Sequence, residues 1–246
     1  MLMKNSDLRR QGRENLRGNY LVSLANFSII SVIGVVLQSF YSPEFGNSVA
    51  EFTSNSPVLT FILSMVTSFI MALLMLGLHW GFLDIQDGER MTVGHIFLPY
   101  KFNPIKVVSY TFRKQLWITL WSLLFIVPGV IKTYAWAMAD YIYYEEPELP
   151  NREIMAKSEA LMQGHKWRLF RLEFYYIMIS LLPLLFWLGG LLYFSLNVSE
   201  GPEQCMGIEF IWILAGIFVV LLLTAILVLL IEPRRNSARA AFYTHL

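Results

Sequence analysis

Two ionisable side chains, Lys132 and Asp140, interrupt residues 115–144, a stretch with no other charge. An ionisable group at membrane depth is costly unless it is paired or reached by water, so this is where chemistry is first sought, in the form of a polar cavity within a bundle. Eight residues on one helix separate the two by about 80° in rotation and about 12 Å in rise. Direct pairing is therefore not expected, and each should find another partner. The plainer expectation puts Lys132 at an outer headgroup layer and Asp140 near the inner end. Between them and the start of the stretch lies Pro128-Gly129. Transporters use interrupted helices to aim backbone groups at ligands. A tight turn between two helices explains the pair more simply, because proline lacks a donor and clashes with the preceding turn.

The other reactive side chains form no recognisable constellation. His79 beside Trp80 reads as an interfacial pair in preference to a proton relay. Asp84, Asp87 and Glu89 could bind a cation weakly, but their spacing matches no calcium loop, and a solvated turn is expected. The one cysteine, Cys205, excludes an internal disulfide and any multi-cysteine metal site. Asn197-Val198-Ser199 has the form of a glycosylation acceptor. No H-E-x-x-H, P-loop or G-x-S-x-G motif is present, and His79, His95, His165 and His245 are scattered. No enzyme activity, cofactor or metal is expected.

The elements that must hold these residues are legible in the composition. Of 246 residues, 56% are hydrophobic and 15% charged, against about 25% charged in ordinary globular chains, and mean hydropathy is +0.51. The chain reads as an all-α polytopic membrane bundle of about six transmembrane helices, in a single integral membrane domain over 1–246. A basic segment, 1–18, precedes a membrane region, 19–231, and a basic tail, 232–246. Apolar runs lie at 19–41, 58–83, 115–144, 172–196 and 208–231. The third would be about 45 Å long as one helix, more than a hydrocarbon core needs, so a hairpin hinged at Pro128-Gly129 is expected. Residues 90–114 mix lysines with apolar side chains and suit the headgroup layer. Residues 151–164 predict a short amphipathic inner helix, with Asn151 as a possible cap and Ile154, Met155, Ser158, Leu161 and Met162 on one face. With the N-terminus inside, eighteen of the nineteen lysines and arginines fall on inner segments, as the positive-inside rule requires. The two longer outer loops hold only Glu44, Glu51, Glu200, Glu203 and Glu209. Lys132 is the exception. A re-entrant hairpin with four crossings satisfies the rule equally well.

The run from Leu120 to Lys132, Leu-Trp-Ser-Leu-Leu-Phe-Ile-Val-Pro-Gly-Val-Ile-Lys, resembles the signature of an uncharacterised integral-membrane family of mostly Gram-positive bacteria, domain of unknown function 975. Tyr134, Met138, Tyr141, Pro147, Ser158, Leu161, Met162, Gly164, Lys166, Phe170 and Leu172 follow in matching order, with Phe242-Tyr243 and Leu246 at the tail. Two features depart from it. Pro233 precedes Arg234 where members carry an aromatic, and the loop at 197–207 is longer. The resemblance implies a helical membrane bundle and brings no activity.

The expected setting is the plasma membrane, crossed several times, with both termini cytoplasmic. The expected partners are the lipid bilayer and another membrane protein or a second copy of the chain. A net charge of only +1 argues against nucleic acid. The expected function is a non-enzymatic structural or accessory role in the bacterial cell envelope. The alternative is a transporter or export component with its pathway near Lys132, Asp140 and Pro128-Gly129, and a membrane-embedded enzyme comes third.

Overall fold

A computed structural model describes residues 3–41, 56–197 and 206–246, with side chains at all of these except 102, 191, 193–197 and 206–215. Glu44, Glu51, Glu200, Glu203, Cys205 and the Val198-Ser199 part of the glycosylation-like triplet lie outside the described residues, as does the side chain of Glu209. The described residues form helices and turns with no strand. In order they are α1 (Asn5–Asn15), α2 (Tyr20–Ser39), α3 (Pro57–Gln86), a 3-10 turn (Val93–Phe97), α4 (Leu98–Phe102), α5 (Pro104–Leu124), α6 (Ile126–Ala135), α7 (Ala139–Glu145), α8 (Asn151–Leu161), α9 (Lys166–Asn197) and α10 (Met206–Tyr243).

The helix starts are written in the sequence. Ser56 accepts a hydrogen bond from the Leu59 amide and Pro57 opens α3; Asn103 accepts from the Lys106 amide and Pro104 opens α5. Four helical segments are long and apolar enough to cross a membrane: Tyr20–Ser39, Pro57–Gln86, Lys166–Gly190 and Gly216–Tyr243. That is compatible with a membrane protein. The expected count of six is not met among the described residues. The two further helices it required come from 115–144, and there α6 has only 10 residues, about 15 Å, half of a hydrocarbon core.

The hinge is also displaced. The helix breaks at Phe125, whose backbone is extended (φ −155°, ψ 135°), three residues before Pro128. Pro128 sits in the first turn of α6, where its missing amide has no helical acceptor to lose. Gly129 is instead a contact residue: a Cβ there would come within 2.7 Å of the Ser122 Cα. From Phe125 the chain returns antiparallel to α5, because partners separate in step. Lys132 lies 5.9 Å from the Trp121 ring, Asp140 meets Lys114, and Tyr143 lies 4.8 Å from Tyr110.

Burial is concentrated at one end of the molecule, the end holding both termini. In α3 the buried residues begin at Leu73 and run to Ile85, whereas Val58, Phe61, Ile62 and Val66 are exposed. In α2 they stop at Ile30. Residues 136–139 and 141–143, Ile154, Met162, Leu169, Leu172, Ala238 and 240–242 complete the same core. Gly77 lets the 3-10 turn press against α3, since a Cβ would meet the carbonyls of His95 and Ile96. The lysines expected at headgroups in 90–114 are partly diverted: Lys106 donates to the Pro147 carbonyl. The amphipathic helix forms as α8, burying Ile154, Met155 and Ser158, although Asn151 donates to Ser109 and caps nothing. In the expected tail, α10 runs straight through Pro233 to Tyr243.

Candidate functional site

Asp140 sits in the first turn of α7, where a carboxylate also suits the positive end of the helix. Two elements converge on it. Tyr110 and Lys114 are one turn apart on α5 and therefore share a face. Lys114 Nζ donates to Asp140 Oδ1 at 2.6 Å and the Tyr110 hydroxyl donates to the same oxygen at 2.8 Å. From α3, His79 Nδ1 lies 2.9 Å from Oδ2, and Trp80 Nε1 donates to the Asp140 backbone carbonyl at 2.9 Å. An ionised carboxylate has no proton to give, so the imidazole carries its own on Nδ1. The Asp140, His79 and Lys114 side chains are 7%, 12% and 18% exposed, and such shielding strengthens every one of these contacts.

A second ionic cluster adjoins the first through the backbone at Ala137. Arg239 of α10 donates to the Ala137 carbonyl at 3.2 Å and lies 3.6 Å from Glu173 of α9. The Tyr134 hydroxyl donates to the other Glu173 oxygen at 3.0 Å. Three buried atoms in this neighbourhood, Tyr141 Oη, Glu173 Oε1 and Arg239 Nε, have no hydrogen-bond partner. Each cation faces an anion, so the hub is neutral: Lys114 with Asp140, Arg239 with Glu173.

Lys132 is held apart from this hub. It pairs with Glu159 of α8 at 2.7 Å, between the rings of Trp121 (5.9 Å) and Trp136 (5.3 Å). The hydrogen bond from Lys132 holds the Glu159 carboxyl below its ordinary range despite some desolvation. Lys132 and Asp140 find separate partners, and they stand on different helices, α6 and α7, so the spacing of a single helix does not relate them. Pro128 and Gly129 belong to the hairpin and touch neither. Asp84 departs from the expected solvated turn: it is 4% exposed and lies 3.1 Å from His95 Nε2, while Asp87 and Glu89 are exposed. The Thr92 amide donates to His95 Nδ1 at 2.9 Å, which leaves the proton on Nε2 for Asp84. His79 and Trp80, read as an interfacial pair, belong to the hub instead. Tyr110, Lys114, Tyr134, Glu173 and Arg239 were not singled out. The available signal was Glu173, the one charge in 172–196.

Among the described residues no group of three His, Cys, Asp or Glu is placed to hold a metal. Both Asp140 oxygens are occupied. The geometry ties α3, α5 and α7 together at Asp140, and joins the chain at Tyr134 and Ala137 to α9 and α10 at Glu173 and Arg239. Comparison with family models, curated proteins and solved structures found no match.

Proposed function

We propose that this chain is a non-enzymatic, multi-pass membrane protein with a structural or accessory role in the bacterial cell envelope, and that the buried ionic hub locks its helices. The observation that carries this reading is the engagement of both Asp140 oxygens by Lys114 and Tyr110 of α5 and His79 of α3. A carboxylate held at both oxygens by side chains of two other helices fixes a bundle. The bacterial setting rests on the resemblance to domain of unknown function 975, which is itself proposed on the order of its motifs.

The finer topology belongs to the same proposal. Four helices cross, both termini are cytoplasmic, and the α5–α6 hairpin is re-entrant. Its uncharged tip, 115–131, folds at Phe125 into arms of roughly 15 Å at most, enough for one leaflet. Leu123, Phe125, Ile126 and Val127 at the tip are 74%, 70%, 79% and 68% exposed, which suits lipid contact. On this reading Lys132, paired with α8, joins the other eighteen cations on the inner side, and the one exception to the charge rule disappears.

The second reading, a pathway for protons or a small solute, is favoured by the three unpartnered buried atoms of Tyr141, Glu173 and Arg239. Flux measurements separate the two. Full-length protein is reconstituted in vesicles containing a pH-sensitive dye, with a double Lys114→Met, Asp140→Asn variant beside the wild type. A lock predicts equal, background proton leak in both. Flux in the wild type that the double variant loses, with both proteins folded, overturns the structural reading. The topology is checked in a Cys205→Ser background: an impermeant thiol reagent should label Phe40→Cys in intact cells, Arg152→Cys only after permeabilisation, and Phe125→Cys in neither case.

A further inference from the structure

Four arginines meet where two of the apolar spans end. Arg10 and Arg13 lie one turn apart on α1, and Arg17 follows in the turn that leads to α2. Gly18 makes that turn possible, with φ of +86°, a left-handed conformation that side chains with a Cβ rarely adopt. The orientation of α1 is fixed by close packing on the far end of α10. Ser237 donates to the Gly12 carbonyl at 2.7 Å, and a Cβ on Gly12 would come within 2.8 Å of the Ala238 amide nitrogen. This docking brings Arg10, Arg13 and Arg17 to the same cavity as Arg234. The cavity has a volume of about 450 Å³, and Glu14, Leu16 and Tyr20 complete its lining.

Its depth follows from the helices that form it. Tyr20 is the first residue of the span α2, and its hydroxyl donates at 3.0 Å to the carbonyl of Leu230, where the apolar part of α10 ends. The Arg234 guanidinium lies 5.6 Å over the Tyr20 ring. A tyrosine at the mouth of a span marks the membrane–water boundary. The cavity therefore opens at headgroup level.

Its charge is unbalanced. Four arginines face one glutamate, and that glutamate is 3.9 Å from Arg10. Among the described residues no carboxylate lies within 4 Å of Arg13, Arg17 or Arg234 in an ion pair, although carboxylates partner Arg235 and Arg239 on the same helix. Like charges gathered without counter-charges repel, and the arrangement is stable when an anion sits among them. The planar fork of arginine matches phosphate oxygens in pairs, and basic pockets between helices at the inner surface suit lipid headgroups.

We propose that the cavity lined by Arg10, Arg13, Arg17 and Arg234 binds a phosphate group, carried by an anionic lipid headgroup. This placement rests on the membrane reading above but not on the role assigned to the ionic hub. The test follows thermal unfolding of the full-length protein in neutral detergent as dioleoylphosphatidylglycerol is added. Dioleoylphosphatidylcholine serves as the neutral comparison, and inorganic phosphate as the free ion. The anionic lipid should raise the midpoint and saturate, and the neutral lipid should not. The variant Arg13→Gln, Arg17→Gln, Arg234→Gln should lose affinity by about fivefold per arginine, whereas Arg152→Gln on exposed α8 should respond as the wild type does. Should the triple variant not fold, Arg17→Gln and Arg234→Gln are made singly, each with the same fivefold expectation. A response to inorganic phosphate alone that matches the lipid's supports the phosphate site and assigns it to a soluble ligand. Equal responses to the two lipids, or an undiminished response in the arginine variants, overturn the proposal. The hub variant Lys114→Met, Asp140→Asn should keep the lipid response, so failure here and failure of the lock are told apart.

Discussion

Asp140 is the residue on which most elements depend, and the consequence is quantitative. Changing Asp140→Ala leaves the Lys114 ammonium, only 18% exposed, without its counter-charge. Stranding one member of a shielded ion pair costs about 3–5 kcal/mol. Unfolding in detergent should show that loss for Asp140→Ala, and the double variant Lys114→Met, Asp140→Leu should recover most of it. The pair Lys132–Glu159 behaves differently because its side chains are 26% and 38% exposed. Lys132→Gln should cost under about 1 kcal/mol, as solvent screens the pair. Its pH dependence has a definite sign. The folded carboxyl of Glu159 titrates below its ordinary range. The stabilisation is therefore complete above the ordinary glutamate pKa and is lost as pH falls through the lowered folded value. Acid titration of wild type and Lys132→Gln should converge at low pH; a constant difference down to full protonation would exclude this linkage.

At the scale of elements, the α5–α6 hairpin is set by a backbone break and a close approach. The Pro-Gly pair was the visible punctuation, but the extended residue is Phe125, and Gly129 serves to bring α6 against Ser122. A methyl group at 129 must push the arms apart. Gly129→Ala should destabilise by about 1–3 kcal/mol, the usual cost of overpacking. At Gly190 of α9 nothing lies within 4 Å of the place a methyl group would take, so Gly190→Ala, in a helix interior, should stabilise by about 0.5–1 kcal/mol. Equal effects at the two sites would mean that the hairpin arms are not in contact. The four long helices were legible because lipid-facing helices are apolar over whole spans. The hairpin was not, because an apolar run of thirty residues is equally consistent with two crossings or with a return to the same side. The 10-residue length of α6 is what supports the return.

Over the whole molecule, stability is distributed unevenly along the long helices. The end with both termini holds the core, while the far halves of α2 and α3 and the hairpin tip present apolar side chains outward. Leu78, 0% exposed, and Leu123, 74% exposed, sample the two regimes. Leu78→Ala should cost about 2–5 kcal/mol, whereas Leu123→Ala should stay within about 0.5 kcal/mol. Similar losses at both positions, read from thermal midpoints in detergent, would show that the far half is packed as tightly as the near one. The arginine cavity lies at the packed end, between α1, the turn at Gly18 and the far end of α10.

The order of residues along the chain was enough to establish the helical class, helices apolar enough to cross a membrane, the places where α2, α3 and α8 start, and the gathering of cations beside the helix ends. These are local or compositional quantities: hydropathy, capping residues and charge counts depend on neighbours along the chain. It argued against a Lys132–Asp140 pair on the geometry of one helix, which the turn between α6 and α7 does not keep. Which charges meet was settled only by packing in three dimensions. Asp140 lies 61 residues from His79 in sequence and 26 from Lys114, and Glu173 lies 66 from Arg239, so no spacing rule connects them. Packing also joined Arg234 to Arg10, Arg13 and Arg17, from opposite ends of the chain. Partners of buried charges are chosen by how the helices pack, and packing brings together side chains whose separation along the chain carries no periodic signal.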